Sequence, residues 1–361
     1  MNMRAPTRVS SNCHPPQTSR LSWLATIVLC CVGPLAAQSP RFVFFDAPNA
    51  GTGSNQGTLP VAINQNGVIA GDYVDKANQL HGFVRGTNGK ITQFDPPNLA
   101  GTFVYAINQA GQIVGSGVGQ FSITHGYLRQ TNGSFTPIDL AGSAGTGTFP
   151  YSINDGGQVA GAYADSAGVW HGFLRDAAGN YTILDAPNAG TGINQGTFAR
   201  VINANGQIAG YYADANTVYH GFIRDQFGNY TSFDAPGSGT QAFLGTQTDG
   251  LNAAGEIAGY YFDNSFNTHA FVRDTSGNLT SFDVPTSTIT SSVSINDSGR
   301  ILGQWAGTGQ TNGFLRDSAG HLTTFSVPIT NTGTFPSSIN NHGHVTGVYS
   351  DSQGVAHGFV F

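Results

Sequence analysis

Five residues between positions 212 and 224 have the side chains that acid–base chemistry uses: Tyr212, Asp214, Tyr219, His220 and Arg224. Asp214 precedes His220 by six positions and Arg224 follows it by four. An imidazole held by a carboxylate can take up and return a proton near neutral pH. The same two groups can also contribute to a metal site. Aromatic rings beside carboxylates suit sugars, which present apolar faces and hydroxyls together.

The spacing is not unique to this segment. It returns as Asp75/His81, Asp165/His171, Asp263/His269 and Asp351/His357. A further copy keeps His125 but has Gly119 at the aspartate position, and another has Ala306 and Asn312 in place of both. A catalytic pair is needed once. Five copies therefore read first as a structural brace, with the carboxylate accepting an imidazole N–H across one hairpin, a charge-assisted bond of about 1.5–3 kcal/mol when shielded. Ligand contact and catalysis remain the alternative readings. An arginine series (Arg85, Arg129, Arg175, Arg224, Arg273, Arg316) recurs with the histidines and is expected to bracket strand edges or a turn.

The elements that carry these residues follow from the repeat. "INANGQIAG" and six sister segments place an Ile/Leu–Asn pair before x-x-Gly, with the asparagines at 64, 108, 154, 203, 252, 296 and 340. Their spacings run from 44 to 49, the period of a four-strand repeat. Strand a ends at the Ile–Asn pair. The following glycine supplies the positive φ of a tight hairpin. Strand b is "GQIAGYY", strand c "HGFIRD", and strand d "YTSFDAP", closed by a proline that cannot extend the ladder. Helical periodicity is absent after residue 40.

The ends of the chain carry the fold prediction further. The last repeat stops at strand c, "HGFVF" (357–361), while "RFVFFDAP" (41–48) is a strand d with no a, b or c before it. Joining them removes an exposed sheet edge. The expected fold is therefore all-β: a seven-bladed β-propeller over residues 41–361, four antiparallel strands per blade, its ring closed by the N-terminal strand. With 39% apolar residues and 24 Phe, the chain can build a core despite only 9% charged residues.

Residues 1–37 have the form of a secretory signal. Arg4, Arg8 and Arg20 precede the apolar stretch "LSWLATIVLCCV" (21–32), and "PLAAQ" offers small residues for cleavage after Ala37. Twelve residues are too few to span a bilayer, which needs roughly 20. Cys13, Cys30 and Cys31 all lie in this segment, so the remaining chain is expected to hold neither disulfides nor thiolate metal sites. Loss of three arginines leaves 14 − 3 = 11 basic residues against 20 acids, a net charge of −9. Nucleic acid needs a basic footprint, so it is excluded as an expected partner.

The "IN–x-x-G–x-[IV]-x-G" turn and the "HGFLRD" strand resemble the HAF-type repeats of bacterial extracellular proteins, named for a His-Ala-Phe tripeptide. "HAFVRD" (269–274) carries that tripeptide literally. The resemblance implies secretion and a propeller-like fold, and transfers no catalytic residue.

Motifs for nucleophilic, phosphate or zinc chemistry are absent from the sequence, and Glu256 is its single glutamate. "GTGSNQGT" and "GTGINQGT" read as connectors, since no helix follows them to stabilise a phosphate. No metal or cofactor is expected, and the chain is expected to be monomeric. The function expected is a secreted or cell-surface binding module for a glycan or a surface protein, using the longer b–c and d–a loops. The ligand-facing candidates there are Tyr73, Tyr163, Trp170, Tyr212, Tyr219, Tyr261 and Tyr349, with packing between blades as the competing role for the tyrosines. Two other classes stay open: a lyase or glycan hydrolase at the channel mouth, and a structural envelope or matrix protein.

Overall fold

The computed structural model describes residues 41–140, 143, 147–307, 309–329 and 333–361. The expected signal segment, with its three cysteines, lies outside the described residues. Among those described, every regular element but one 3₁₀ turn (Gln120–Ser122) is a β-strand, and no helix is long and apolar enough to cross a membrane.

One repeat serves for all. In the fourth, strand a (Gly196–Ile202), b (Ile208–Ala213), c (Tyr219–Arg224) and d (Tyr230–Phe233) pair antiparallel in sequence order. The other repeats pair alike, and strand a also touches strand c of the preceding repeat through a single parallel bridge in most of them, as at Tyr219 and Gly245. These bridges merge the strands into sheets of 16, 8 and 4. The N-terminal strand (Val43–Phe45) pairs antiparallel with the C-terminal one (Ala356–Val360), Phe44 opposite Phe359. This is the d-to-c pairing of the other repeats, made between the two ends of the described chain.

The repeated letters have separate causes. The aromatic residue of the His-Gly-Phe strand is the core: Phe83, Tyr127, Phe173, Phe222, Phe271, Phe314 and Phe359 are fully or almost fully buried. The ring needs space on strand b. A Cβ added at Gly161 would stand 2.5 Å from the Phe173 ring. That glycine is thus required for packing, whereas Gly206, at φ 76°, is required for its turn.

The asparagine uses both ends of its amide. Its Oδ1 accepts the N–H four residues on, closing its own hairpin at 2.9–3.0 Å. Its Nδ2 donates to the backbone carbonyl of the asparagine in the next repeat at 2.9–3.3 Å. Asn340 donates back to the Asn64 carbonyl at 3.0 Å, so the seven bonds form a cycle. The arginines also act between repeats. Arg85, Arg129, Arg273 and Arg316 lie 4.7–5.2 Å over Phe45, Phe94, Phe233 and Phe282, each on the strand d before them.

Candidate functional site

The histidine corner is where the expected chemistry was placed, and its partners differ from the expectation. In the five six-residue pairs, Nε2 lies 3.5–3.7 Å from the aspartate, the edge of hydrogen-bond range. The short bond is made by Nδ1 to another carboxylate at the end of strand d: His81 to Asp95, His125 to Asp139, His171 to Asp185, His220 to Asp234 and His269 to Asp283, at 2.8–3.0 Å. His357 reaches Asp46 across the two ends, also at 3.0 Å. The brace over Asp75/His81, Asp165/His171, Asp214/His220, Asp263/His269 and Asp351/His357 is therefore the longer of two contacts: the shorter bond goes to the carboxylate that ends strand d, fourteen residues on in the first four pairs and Asp46 for His357.

The six-back aspartates have another task. Asp75, Asp165, Asp214, Asp263 and Asp351 each use Oδ1 to accept two backbone N–H bonds, from the second and fourth residues after them, closing the b–c turn at 2.8–2.9 Å. Backbone N–H bonding, led by that of Gln79, Val169 and Val355, holds Asp75, Asp165 and Asp351 below the usual carboxylate range. Asp263 falls to about 2, first through the Asn267 side-chain amide. His220 is raised, chiefly by its bond to Asp234.

A sequence signal for the true partner exists. Asp46, Asp95, Asp139, Asp185, Asp234 and Asp283 occur in all six repeats that have the histidine, and Ser326 replaces the aspartate in the repeat where Asn312 replaces the histidine. Gly119, by contrast, replaces the six-back aspartate while His125 stays.

The five tyrosines proposed for a ligand face, Tyr73, Tyr163, Tyr212, Tyr261 and Tyr349, are 3–9% exposed. Each stacks on the histidine of its own repeat at 4.9–5.2 Å between centroids. Their rings complete the corner and present little surface to solvent.

Trp170 and Tyr219 behave differently. Trp170 sits 5.6 Å from Phe149 and 5.0 Å from Phe198; Phe198 meets Tyr211 at 4.9 Å, Tyr211 meets Tyr219 at 5.4 Å, and Tyr219 meets Phe243 at 6.4 Å. The result is an aromatic wall on one side of the molecule. At the position of Trp170 and Tyr219 the other repeats carry Leu80, Thr124, Thr268, Thr311 and Ala356. The wall ends among the b–c and d–a loops, which share one face: the Phe243 N–H of a d–a loop donates to Thr217 of a b–c turn at 2.8 Å. Phe121, Phe243 and Phe266 on that face are 91%, 56% and 69% exposed. All three have φ between 58° and 65°, a conformation unfavourable for a bulky side chain.

Sequence reasoning missed a second cluster, in a cavity lined by residues of the a strands. Three residues before each asparagine stand Val61, Tyr105, Tyr151, Arg200, Asp249, Val293 and Ser337. All seven line one cavity of about 640 Å³, with Tyr260, Ser291 and Gln304 among its other walls. The guanidinium of Arg200 lies 4.3 Å over the Tyr151 ring, which is 5.7 Å from that of Tyr105. Arg200 Nη2 and Asp249 Oδ1 are 3.8 Å apart, with about a third and a quarter of these side chains exposed. Burial raises Asp249 to about 6 against the opposing pull of Arg200, and raises Tyr105 to about 12. A guanidinium, a carboxyl whose acidity burial weakens and several phenols thus line one cavity together with aliphatic and hydroxyl groups. Among the described residues no group of three or more His, Cys, Asp or Glu side chains is placed to hold a metal.

No family model matches the chain, and no curated protein matches it by sequence. Solved structures do resemble it. A catalytically inactive virginiamycin B lyase from Staphylococcus aureus with quinupristin superposes with a TM-score of 0.57 at 16% identity, covering 89% of this chain and 100% of that one. Oligogalacturonate lyase from Vibrio parahaemolyticus gives 0.57 at 8% identity over 89% and 98%. The β-propeller domain of the Trilobed protease from Pyrococcus furiosus gives 0.54 at 7% identity over 84% and 95%. At these identities the likeness defines the fold alone, which is propeller-like.

Proposed function

We infer that this chain is a seven-bladed β-propeller of the HAF-repeat type, exported from the cell, whose b–c/d–a loop face is a binding surface for a glycan or a surface protein. Ring closure is supported by the pairing of the two terminal strands, the return of Asn340 to Asn64 and the contact of Arg85 with Phe45. The binding reading is carried by one observation: the aromatic wall from Phe149 through Trp170 and Phe198 to Phe243 breaks an otherwise uniform repeat and opens on the loop face. Exposed aromatic groups on loops are a typical feature of recognition surfaces. Phe243 occupies a position where a sister repeat has Asn194, and Phe266 one where sister repeats have Asn78, Gly168, Thr217 and Gly354, so the fold does not require them.

The test is a glycan array together with capture of surface proteins, using the exported full chain, Trp170→Ala and Phe266→Asn. Binding that falls at least tenfold in Trp170→Ala at unchanged melting temperature supports the reading. Unaltered binding in both variants, or none in the parent, removes the loop face as a binding surface.

The enzymatic alternative gains from one feature, the raised carboxyl of Asp249 beside Arg200. Residues with shifted acidity in a cleft are candidate acids and bases. Turnover of a bound glycan that Asp249→Asn abolishes would favour it.

A further inference from the structure

We propose that the central channel is itself a sugar site, in which a hydroxyl of a neutral pyranose bridges Arg200 and Asp249 while the ring lies against the tyrosines of the second, third and fifth repeats. The proposal concerns a place apart from the loop face, and it stands or falls separately from that reading.

Asymmetry is the first argument. The position three before the asparagine is occupied in consecutive repeats by Tyr105, Tyr151, Arg200 and Asp249, and elsewhere by Val61, Val293 and Ser337. A register shift falls at this position in all seven repeats whatever residue stands there, so these polar groups are not needed to build strand a. Withdrawing a guanidinium and a carboxylate even partly from water costs free energy that a purely structural cavity would avoid with apolar residues.

The second argument is unused hydrogen-bonding capacity. Tyr105 and Tyr260 have polar partners, the hydroxyl of Ser116 at 2.7 Å and the Gln247 amide at 3.0 Å. Arg200 and Asp249 are separated by 3.8 Å, longer than a direct hydrogen bond. An oxygen seated beside that gap can accept from the guanidinium and donate to the carboxylate at ordinary distances. A hydroxyl does both, and a carboxylate does not. The cavity, at about 640 Å³, falls within the roughly 300–1,000 Å³ of small-molecule sites.

Charge decides between neutral and acidic ligands. Arg200 carries one positive charge, and the carboxylate of Asp249, 3.8 Å away, offsets it. The site then presents a donor and an acceptor with almost no net field, which favours a hydroxyl-rich neutral ring over a uronate. Phenol rings and the hydroxyls of Ser291 and Ser337 on the opposite side suit the C–H faces and remaining hydroxyls of such a ring.

Isothermal titration at pH 7 with glucose, galactose, mannose, cellobiose and chitobiose, and with glucuronate as the charged comparison, tests this. At least one neutral sugar should bind, with glucuronate at least tenfold weaker. Arg200→Ala and Asp249→Ala should each weaken the neutral sugar tenfold or more. Arg200→Lys keeps the charge and the fold, and should lose affinity because the fork is gone. Melting curves separate loss of binding from loss of folding, and a variant that fails to fold is replaced in the comparison by Arg200→Lys. Glucuronate bound as tightly as the neutral sugars, no sugar bound by the folded parent, or full affinity in Arg200→Lys and Asp249→Ala would each overturn the proposal. The loop-face reading has its own readout: array binding lost in Trp170→Ala while channel binding persists leaves the channel proposal intact, and the converse leaves the loop face intact.

Discussion

The histidine corners and the channel wall are built from similar residue types and differ in how they vary along the chain. At the corner, His, Asp and Tyr recur, and each group is already engaged: His220 with Asp234 and Tyr212, Asp214 with its own turn. In the channel, the residue three before the asparagine changes from repeat to repeat, and Arg200 and Asp249 do not complete a short bond with each other. Repetition with satisfied partners marks scaffold. Departure from the repeat, with a gap of 3.8 Å between the two charges, is what the channel proposal rests on.

This comparison can be broken most forcefully in the core that both regions share. Phe222 is fully buried under strand b, and Phe222→Ala should cost about 3–5 kcal/mol. Denaturant unfolding measures it. A cost below about 1 kcal/mol would mean that the repeats are not held by these rings.

The corner offers a finer separation, between its two aspartates. Asp234→Ala should lower stability by about 0.5–1.5 kcal/mol, since the bond is half exposed, and should lower the titration midpoint of His220. Asp214→Ala should loosen the turn and lower that midpoint by less than Asp234→Ala does. NMR titration of the imidazole distinguishes them; a larger shift from Asp214→Ala would restore the six-residue brace.

Acid should produce the smallest and most gradual effect. Asp75, Asp165 and Asp351 titrate below the ordinary range when folded, and Asp263 near 2. A depressed folded value contributes stability above the unfolded value of about 3.9, and that contribution disappears as pH falls through the folded one. Melting temperature should therefore decline from about pH 4 towards pH 2. For His220 the sign is opposite: its raised value contributes below about 6.5 and is lost as pH rises through the folded midpoint. A melting temperature independent of pH between 2 and 4 would show that the turns do not depend on ionised caps.

Strand order and the joining of the terminal strands were legible in the sequence because they rest on local letters: the positive-φ glycine, the proline after strand d, the repeat period and the incomplete units at either end. The corner was half legible. His220 was found, but its partner was sought on the neighbouring turn, whereas the ring nitrogen that bonds at 2.9 Å faces strand d. The tyrosines were read as a surface because strand alternation alone does not say which face a neighbouring repeat covers; Tyr212 proved to be buried.

By itself, then, the sequence determined the repeat, the four-strand unit and the residues each unit spends on turns and core, since these depend on backbone geometry within a few positions. Tertiary structure decided what could not be counted along the chain. A register shift between Ala199 and Val201 breaks the two-residue alternation of strand a at Arg200, so the face on which Arg200 and Asp249 meet follows from the twist and packing of successive repeats. Their meeting joins residues 49 positions apart, and only the folded arrangement of strands brings them into one channel.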